Sequence, residues 1–347
     1  MMKSPAASGL LGLAFVLIAS SASAGPYAGA RSIRLQDFTG TVDIAVGGSE
    51  INADLTAGGE PYPVKVSVID GVLVIAGEKR PHGYNVHREI NWNFYHDRAF
   101  AQFLERYPVL KITAPAGSDV EFDNVIVAAV AGDLKSNVKI GGGYVQAAFG
   151  DLKSGAVGIG GAGDVTVGDV AETLKVSIGG SGDFIGGDVR TAEFTIGGSG
   201  DIRVGVVSGD AAISIGGSGD IKAGGIGGAL TASIHGSGDV NVGAVGRGAN
   251  LSIAGSGDLA LAGVSGPVRV DIAGNGDVAI ADGRAENLAI SVAGSGDVLF
   301  GGVSTNLNVS VVGSGTVSVA ANEGALTVTG RGGEVIVGGK RVSKPRD

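Results

Sequence analysis

Cysteine is absent from the 347 residues, which excludes disulfide bonds, thiolate metal sites, cysteine nucleophiles and a lipid anchor on cysteine. Charged residues make up only 17% of the chain, against about 25% in an average globular domain. The net charge of −9 lacks the basic excess of proteins that bind nucleic acids, so we expect no such partner. Only 9 prolines occur, and glycine does not recur at every third residue, which excludes a collagen helix.

Glycine, in contrast, supplies 65 of the 347 residues, whereas an average protein has about 7% glycine. Hydrophobic residues supply a further 44% of the chain. That share is too high for a disordered glycine-rich linker, which cannot bury enough apolar surface to fold. The composition therefore indicates a folded, glycine-rich protein.

Residues 1–24 have the pattern of a cleavable signal peptide. Lys3 precedes an apolar core from Leu10 to Ile18, and the Ala-x-Ala site from Ala22 to Ala24 ends the segment. The apolar core is shorter than the roughly 20 residues that a membrane-spanning helix needs. We therefore expect cleavage after Ala24 and export to the periplasm, the cell surface or the medium, with no transmembrane segment in the mature chain. An uncleaved anchor is the alternative.

A Gly-x-Gly-Asp tetrad recurs along most of the remaining chain at intervals of 18 to 20 residues. A ninth copy carries Thr316 in place of the acid. Self-similarity at a fixed period is typical of repeat folds. A weaker Gly-Asp pair has the same period and begins closer to the N-terminus, at Asp133, Asp151, Asp169 and Asp188. The eight tetrads end at Asp164, Asp183, Asp201, Asp220, Asp239, Asp258, Asp277 and Asp297.

The residues around each tetrad alternate between apolar and polar, as in a strand with one buried face. Ile or Val stands five residues before each Asp, as at Ile196 and Ile215, and an apolar residue follows each Asp. Stacked units can bury these residues together if each strand pairs in parallel with its equivalent in the next unit. The sequence therefore predicts an all-β fold, a right-handed parallel β-helix or β-solenoid of about eleven coils with about 19 residues each.

Glycine at the corners of such coils is expected to supply the positive φ that tight turns require. A propeller is the alternative repeat fold, but its blades need about 40 residues, so two units would have to combine into one blade.

The chain divides by composition into a signal peptide (1–24), an N-terminal strand region of the solenoid (25–80), an insert (81–107), the β-helix repeats (108–341) and a basic tail (342–347). Strands are predicted over 41–46, 64–68 and 72–76 in the N-terminal region. The insert is rich in aromatic residues and histidine, and Asp97 is placed to cap a short helix with Phe100, Phe103, Leu104 and Tyr107 on one face.

Three segments before the tetrads carry a family resemblance: Phe38 to Ile44, Asp70 to Ile75 and Leu110 to Pro115. Together with the repeated Gly-Ser-Gly-Asp, their order resembles the auto-transporter adhesin family with the head GIN domain, from Arg31 to about Val337. The resemblance implies an exported bacterial β-helix protein with an adhesive role. The insert at 81–107 is a departure from the family pattern.

The stacked aspartates are the first candidate site. In register, the eight carboxylates would lie about 4.8 Å apart, so they must be solvated, hydrogen-bonded or neutralised. The structural interpretation makes each Asp a turn residue that accepts hydrogen bonds from local N–H groups, and no cofactor is then expected. The alternative is a column of calcium sites, because calcium prefers carboxylate and carbonyl oxygens.

The insert is the second candidate site, as a contact for a surface glycan or a protein. Aromatic residues and arginine are enriched where binding energy concentrates. The alternative is that these rings close one end of the solenoid. The three histidines, at 82, 87 and 96, do not have the spacing of a zinc site. The candidate contact residues are Tyr84, Arg88, Trp92, Tyr95 and Arg98.

No motif of a serine hydrolase, a zinc protease or a P-loop enzyme occurs. A repeated, nearly identical Asp is what a structural role requires, whereas an active site would break the repeat with unique residues. We therefore expect a non-enzymatic adhesin or binding scaffold at the cell envelope. A polysaccharide-active β-helix enzyme and a purely structural periplasmic protein are the alternatives.

Overall fold

A computed structural model describes residues 15–17, 22–24, 26–59, 61–77 and 96–342. The chain divides into two compact units, residues 1–132 (unit 1) and 133–347 (unit 2). Within the described ranges, the single helix is too short to cross a membrane. Unit 1 contains the helix α1 His96–Leu104 and the strands β1 Phe15–Leu17, β2 Ala22–Ala24, β3 Ser32–Gln36, β4 Thr39–Val46, β5 Asn52–Thr56, β6 Val64–Ile69, β7 Val72–Gly77, β8 Val109–Ala114 and β9 Asp119–Ala131.

Unit 1 combines parallel and antiparallel strand pairs. Strand β3 pairs in parallel with β7 and β9, and β4 pairs in parallel with β8 and β9. The three predicted N-terminal strands are confirmed as β4, β6 and β7. However, β6 and β7 form an antiparallel hairpin instead of solenoid coils. Its connection has positive φ at both Asp70 (51°) and Gly71 (79°), as a two-residue type I′ turn requires.

The first strands of unit 1 lie within residues 1–24, the segment predicted from the sequence to be a signal peptide. Strand β1 pairs antiparallel with β6, and β2 pairs antiparallel with β5. Strand β5 also pairs antiparallel with β8. Cleavage after Ala24 would remove β1 and β2 and free one edge of β5 and one of β6.

Unit 2 is a parallel β-solenoid, and the predicted fold class is confirmed, with about 11 turns. Its strands are β10 Asn137–Phe149, β11 Ser154–Ile159, β12 Val165–Val167, β13 Val170–Ile178, β14 Phe184–Gly186, β15 Val189–Ile196, β16 Ile202–Val204, β17 Ala211–Ile215, β18 Ile221–Ala223, β19 Leu230–Ile234, β20 Val240–Val245, β21 Ala249–Ile253, β22 Leu259–Ser265, β23 Val268–Ile272, β24 Val278–Ile280, β25 Gly283–Gly294, β26 Val298–Asn322, β27 Leu326–Val337 and β28 Lys340–Arg341.

Each coil of unit 2 contributes to three stacks of parallel strands. Face A contains the strands before the tetrad, such as β17, β19 and β21. Face B contains the three-residue strands after the tetrad, such as β16 and β18. Face C is the narrowest, and in the middle coils it consists of single bridges that link Val189, Val207, Ile226 and Val245. The tetrad forms the corner between faces A and B.

The interior of unit 2 is a set of aliphatic columns. Ile196 pairs in register with Ile215, and Ile215 pairs with Ile234. All three side chains are fully buried. The alternation predicted from the sequence therefore places the same side chain on the same inner position in successive coils, about 4.8 Å apart.

The tetrad glycines allow the close approach of one coil to the next. A Cβ atom on Gly219 would overlap the carbonyl oxygen of Gly200 in the preceding coil, and a Cβ on Gly217 would overlap that of Gly198. The expectation of positive φ is wrong for most tetrad glycines, because only Gly163, Gly294 and Gly313 have φ in that region. Glycine is required at these corners mainly because the neighbouring backbone leaves no room for a side chain.

We expect Gly219→Ala to destabilise unit 2 by about 1 to 3 kcal/mol, because the new methyl group meets a backbone carbonyl that cannot move alone. The matched control is Gly216→Ala, where a Cβ would have no neighbour closer than 3.9 Å and where other coils carry Ala254 or His235. That variant should keep the wild-type stability or gain up to about 1 kcal/mol. Urea unfolding of both variants checks this, and equal losses would contradict it.

Candidate binding surfaces

The eight tetrad aspartates form a continuous file along the corner between faces A and B. In each coil, the carboxylate Oδ1 accepts a hydrogen bond from the backbone N–H of the equivalent residue in the next coil. The N···O distances lie between 2.6 Å (Thr316 N–H to Asp297) and 3.0 Å (Asp183 N–H to Asp164). The ninth, uncharged copy of the tetrad thus donates the last bond of the file.

Asp220 shows how two coils are joined at this corner. Its Oδ1 accepts the N–H of Asp239 at 2.9 Å, and the Asp239 carbonyl accepts the N–H of Ile221, also at 2.9 Å. A side-chain bond and a backbone bond therefore link the two coils in opposite directions. The sequence predicted an Asp that accepts local N–H groups, but the donor lies 18 to 20 residues further on, in the next coil.

These bonds make a column of like charges tolerable. Neighbouring carboxylates about 4.8 Å apart repel by roughly 1 kcal/mol in water, whereas a hydrogen bond to a charged group contributes about 1.5 to 3 kcal/mol. Asp183, Asp201 and Asp220 are half-buried and the other five are exposed, so water screens the charges. Among the described residues, no group of three or more acidic or histidine side chains could hold a metal ion. The calcium alternative stays a prediction.

The weaker Gly-Asp pair forms a second, shorter file at the corner between faces B and C. Asp133, Asp151 and Asp169 each accept the N–H of the next Asp, at 2.8 to 3.1 Å. Asp188 accepts the N–H of Val206 at 2.7 Å, and the file ends there because Val206 has no acceptor. Both aspartate files therefore join coils through the same kind of bond.

Face A carries an outward column of hydroxyl groups, which the sequence reasoning missed. Its members stand three residues before the first glycine of the tetrad, or at the equivalent position in the last coil, and pair in register from coil to coil. The repeat itself contained this pattern, since the position is Ser or Thr in nearly every coil. Only Asp271 interrupts the column, whose members are Ser177, Thr195, Ser214, Ser233, Ser252, Ser291, Ser310 and Thr329.

A second outward column on face A, two residues earlier, varies from coil to coil. We call it the variable column. Lys175 and Glu193 form an ion pair in it, with 2.6 Å between Nζ and Oε2. Because its side chains differ in size and charge while the backbone beneath is regular, this column gives face A its local shape. Its members are Lys175, Glu193, Ala212, Thr231, Asn250, Arg269, Ala289, Asn308 and Thr327.

Four of the candidate contact residues in the insert, Tyr84, Arg88, Trp92 and Tyr95, lie outside the described residues, as do the histidines at 82 and 87. Arg98 lies in α1, but its side chain is outside the described part of the chain. The interpretation of these residues as a binding contact therefore stays a prediction.

Helix α1 anchors the C-terminal end of the insert. Phe100, Phe103 and Leu104 are all buried, with at most 5% of each side chain exposed. The ring of Phe103 lies 5.0 Å from that of Tyr107, which lies 5.5 Å from Tyr62. The predicted apolar face of the helix is confirmed, although Tyr107 follows the helix instead of lying within it.

Two details of this packing differ from the sequence-based expectation or extend it. The helix begins at His96, so Asp97 lies in its first turn and is not the residue that caps it. Beneath the helix, the hydroxyl of Tyr62 donates to the Asp37 carbonyl at 2.9 Å and accepts the Thr39 N–H at 3.0 Å. This polar contact fixes the ring against which Tyr107 packs.

Comparison with known proteins finds a family model over most of the chain. The family described as "Putative auto-transporter adhesin, head GIN domain" matches residues 38–244 and 211–323. No protein with a curated description matches the chain.

Solved structures with likeness to this chain include the following three. A "putative adhesin" from Bacteroides fragilis has 14% identity and a TM-score of 0.28, covering 93% of this chain and 98% of its own. One from Parabacteroides distasonis has 13% identity and a TM-score of 0.32, covering 86% and 98%. A "putative cell adhesion protein" from Clostridium sporogenes has 13% identity and a TM-score of 0.22, covering 65% and 100%.

We expect Asp220→Ala to cost about 1 to 3 kcal/mol, because the Asp239 N–H loses its acceptor. Asp220→Asn keeps an oxygen acceptor and removes one charge from the file. Its stability should equal the wild-type value or exceed it at low salt, with the gain falling as salt screens the repulsion. Urea unfolding at two salt concentrations measures both effects. Asn241→Ala, an exposed change on face B, is the control, and equal losses in the two Asp220 variants would contradict this role.

The melting temperature should be the same in EDTA and in millimolar calcium, because one oxygen of each file carboxylate already accepts a backbone N–H. Calcium bound to the folded protein would raise the melting temperature by mass action. Thermal unfolding followed by circular dichroism decides between these outcomes, and a rise that is lost in Asp220→Asn would establish a calcium site.

Proposed function

Because the chain belongs to the family described as putative auto-transporter adhesins with a head GIN domain, we propose that it is an exported, non-enzymatic adhesin of the bacterial cell envelope. The family model covers residues 38–323 through its two overlapping matches, and so includes most of both units. The polysaccharide-active enzyme and the purely structural protein remain the competing hypotheses from the sequence.

The observation that carries this proposal is the continuity of face A along unit 2. Strand pairing, the aspartate files and the buried columns together hold equivalent backbone positions at a constant spacing from coil to coil. Since the bonds between coils are made by backbone groups and corner aspartates, the variable column of face A is free to change without loss of the fold. A rigid surface with a variable outer column suits a protein whose role is to bind.

The insert is the favoured specific contact. Strand β7 ends at Gly77, just before the insert, and α1 holds the C-terminal part of the insert through its buried apolar face. The intervening residues include Trp92, the only tryptophan of the chain, together with Tyr84, Arg88 and Tyr95. Aromatic rings and guanidinium groups bind sugar rings and protein surfaces through stacking and hydrogen bonds, which supports a surface glycan or a protein as the partner.

Export is the second part of the proposal. Residues 1–24 combine a basic start, an apolar core and an Ala-x-Ala site, which supports cleavage after Ala24. Cell fractionation with N-terminal sequencing tests this. The expected result is an envelope or secreted protein that begins at Gly25, and recovery of the intact chain in the cytoplasm would contradict it.

We expect Trp92→Ala to weaken adhesion of the purified protein to its target surface by about tenfold or more, as for an aromatic residue at the centre of an interface. Binding to glycan arrays and to immobilised cell-surface proteins measures the effect. Lys222→Ala, an exposed change on face B, is the control and should bind as the wild type does. Equal binding by the Trp92 variant would exclude the insert as the contact.

An enzyme would instead shorten a polysaccharide during the same incubation. If that activity disappeared in one Asp→Asn variant of the file and persisted in its neighbours, the adhesin proposal would be overturned in favour of a β-helix enzyme.

A further inference from the structure

Face A has a shallow depression of about 400 Å³ that extends over four coils. Its length is roughly 14 Å, since adjacent coils are about 4.8 Å apart. Small residues form its floor, including Ala229, Gly248 and Ala289. Longer side chains of the variable column and of the corner between faces C and A rise beside them. The depression therefore results from the order of small and large residues in neighbouring coils.

Arg247 is an uncompensated cation at the margin of this depression. The Arg247 side chain is exposed, and among the described residues it has no hydrogen-bond or ion-pair partner. The residues at the equivalent position in the adjacent coils explain why Arg247 has no partner. The backbone N–H of Arg247 bonds to Gly228 in one adjacent coil, and Gly266 lies against Arg247 from the other, so both column neighbours lack a side chain. No Asp or Glu lines the depression.

Neutral polar groups face the same space from the variable column. Thr231 pairs in register with Asn250, and Asn250 pairs with Arg269. Within the described part of the chain, the Thr231 hydroxyl and the Asn250 amide have no protein partner. Arg269 is held differently, since its Nε and Nη2 donate to the Asp271 carboxylate at 2.6 and 2.9 Å. Arg247 thus supplies the free charge, and Asn250 and Thr231 supply free hydrogen-bonding groups.

The chemistry of this lining favours a saccharide over a peptide. The strands beneath it are already paired on both sides, β21 with β19 and β23, so the floor offers no strand edge for a peptide backbone. An amide, a hydroxyl and a guanidinium group at the edge of an apolar floor can instead bond to sugar hydroxyls. The guanidinium of Arg247 also matches a carboxylate through two parallel hydrogen bonds.

We propose that this depression binds an acidic oligosaccharide, with a uronate carboxylate on Arg247 and sugar hydroxyls on Asn250 and Thr231. The site lies in unit 2 and builds on the proposed adhesin function. It gives that function a second contact, separate in sequence from the insert, and it specifies the class of ligand. Because the protein carries a net charge of −9, it repels polyanions in general, so recognition depends on this local positive group.

The test is calorimetric titration of the intact protein with tri-galacturonate and with its methyl ester, which is uncharged. We expect the acid to bind and the ester to bind about tenfold more weakly or not at all. Arg247→Gln should reduce the affinity for the acid by about tenfold, and Asn250→Ala should reduce it by a smaller factor. Arg190→Gln, another exposed arginine without a partner in the described chain, is the matched control and should bind as the wild type does.

Circular dichroism and the melting temperature should be the same in Arg247→Gln and in the wild type, because only the backbone of Arg247 joins the coils. The proposal is overturned if tri-galacturonate does not bind, if Arg247→Gln binds it as the wild type does, or if acid and ester bind equally. Tighter binding of tri-glutamate would assign the depression to an acidic peptide instead. The adhesin function itself is judged separately, by the adhesion of the wild-type protein to its target surface and by whether it shortens a polysaccharide.

Discussion

The close approach of consecutive backbones at the tetrad corner is the constraint on which unit 2 depends. Gly217 and Gly219 lie so near the preceding coil that neither has room for a side chain. This proximity brings the Asp220 carboxylate within hydrogen-bonding distance of the Asp239 N–H. It also keeps the inner columns, such as Ile215 and Ile234, in van der Waals contact along the core. Glycine content, aspartate position and core packing therefore have one common cause.

The same constraint separates residues that hold the fold from residues that can change. Glycines and aspartates at the corners are committed to bonds between coils, and inward aliphatic residues are committed to the core. The outward positions of face A carry neither task, which explains why Glu193, Thr231 and Arg269 occupy equivalent sites. Side-chain differences along one column can therefore change the outer surface of face A, while the backbone beneath them hardly changes.

The sequence predicted the solenoid well because its alternation and period are local properties. Ile196 and Ile215 could be placed on one buried column from spacing alone. It could not predict which N–H the aspartates bind, because the donor belongs to another coil. Nor could it predict that β6 and β7 form a hairpin, since the two strands satisfy the period-2 pattern in either pairing. The sequence did not predict the depression near Arg247, because its shape depends on residues from four coils at once.

Each coil in the middle of the aspartate file donates one N–H to the coil before it and offers one carboxylate to the coil after it. A coil inserted in the middle would therefore find both partners ready, and neither neighbour would need to change. Length can vary by whole repeats through internal duplication, with no search for compensating mutations. The last member differs from the middle ones: Thr316 donates the final bond but brings no carboxylate for another, so in evolution a new coil would enter before it.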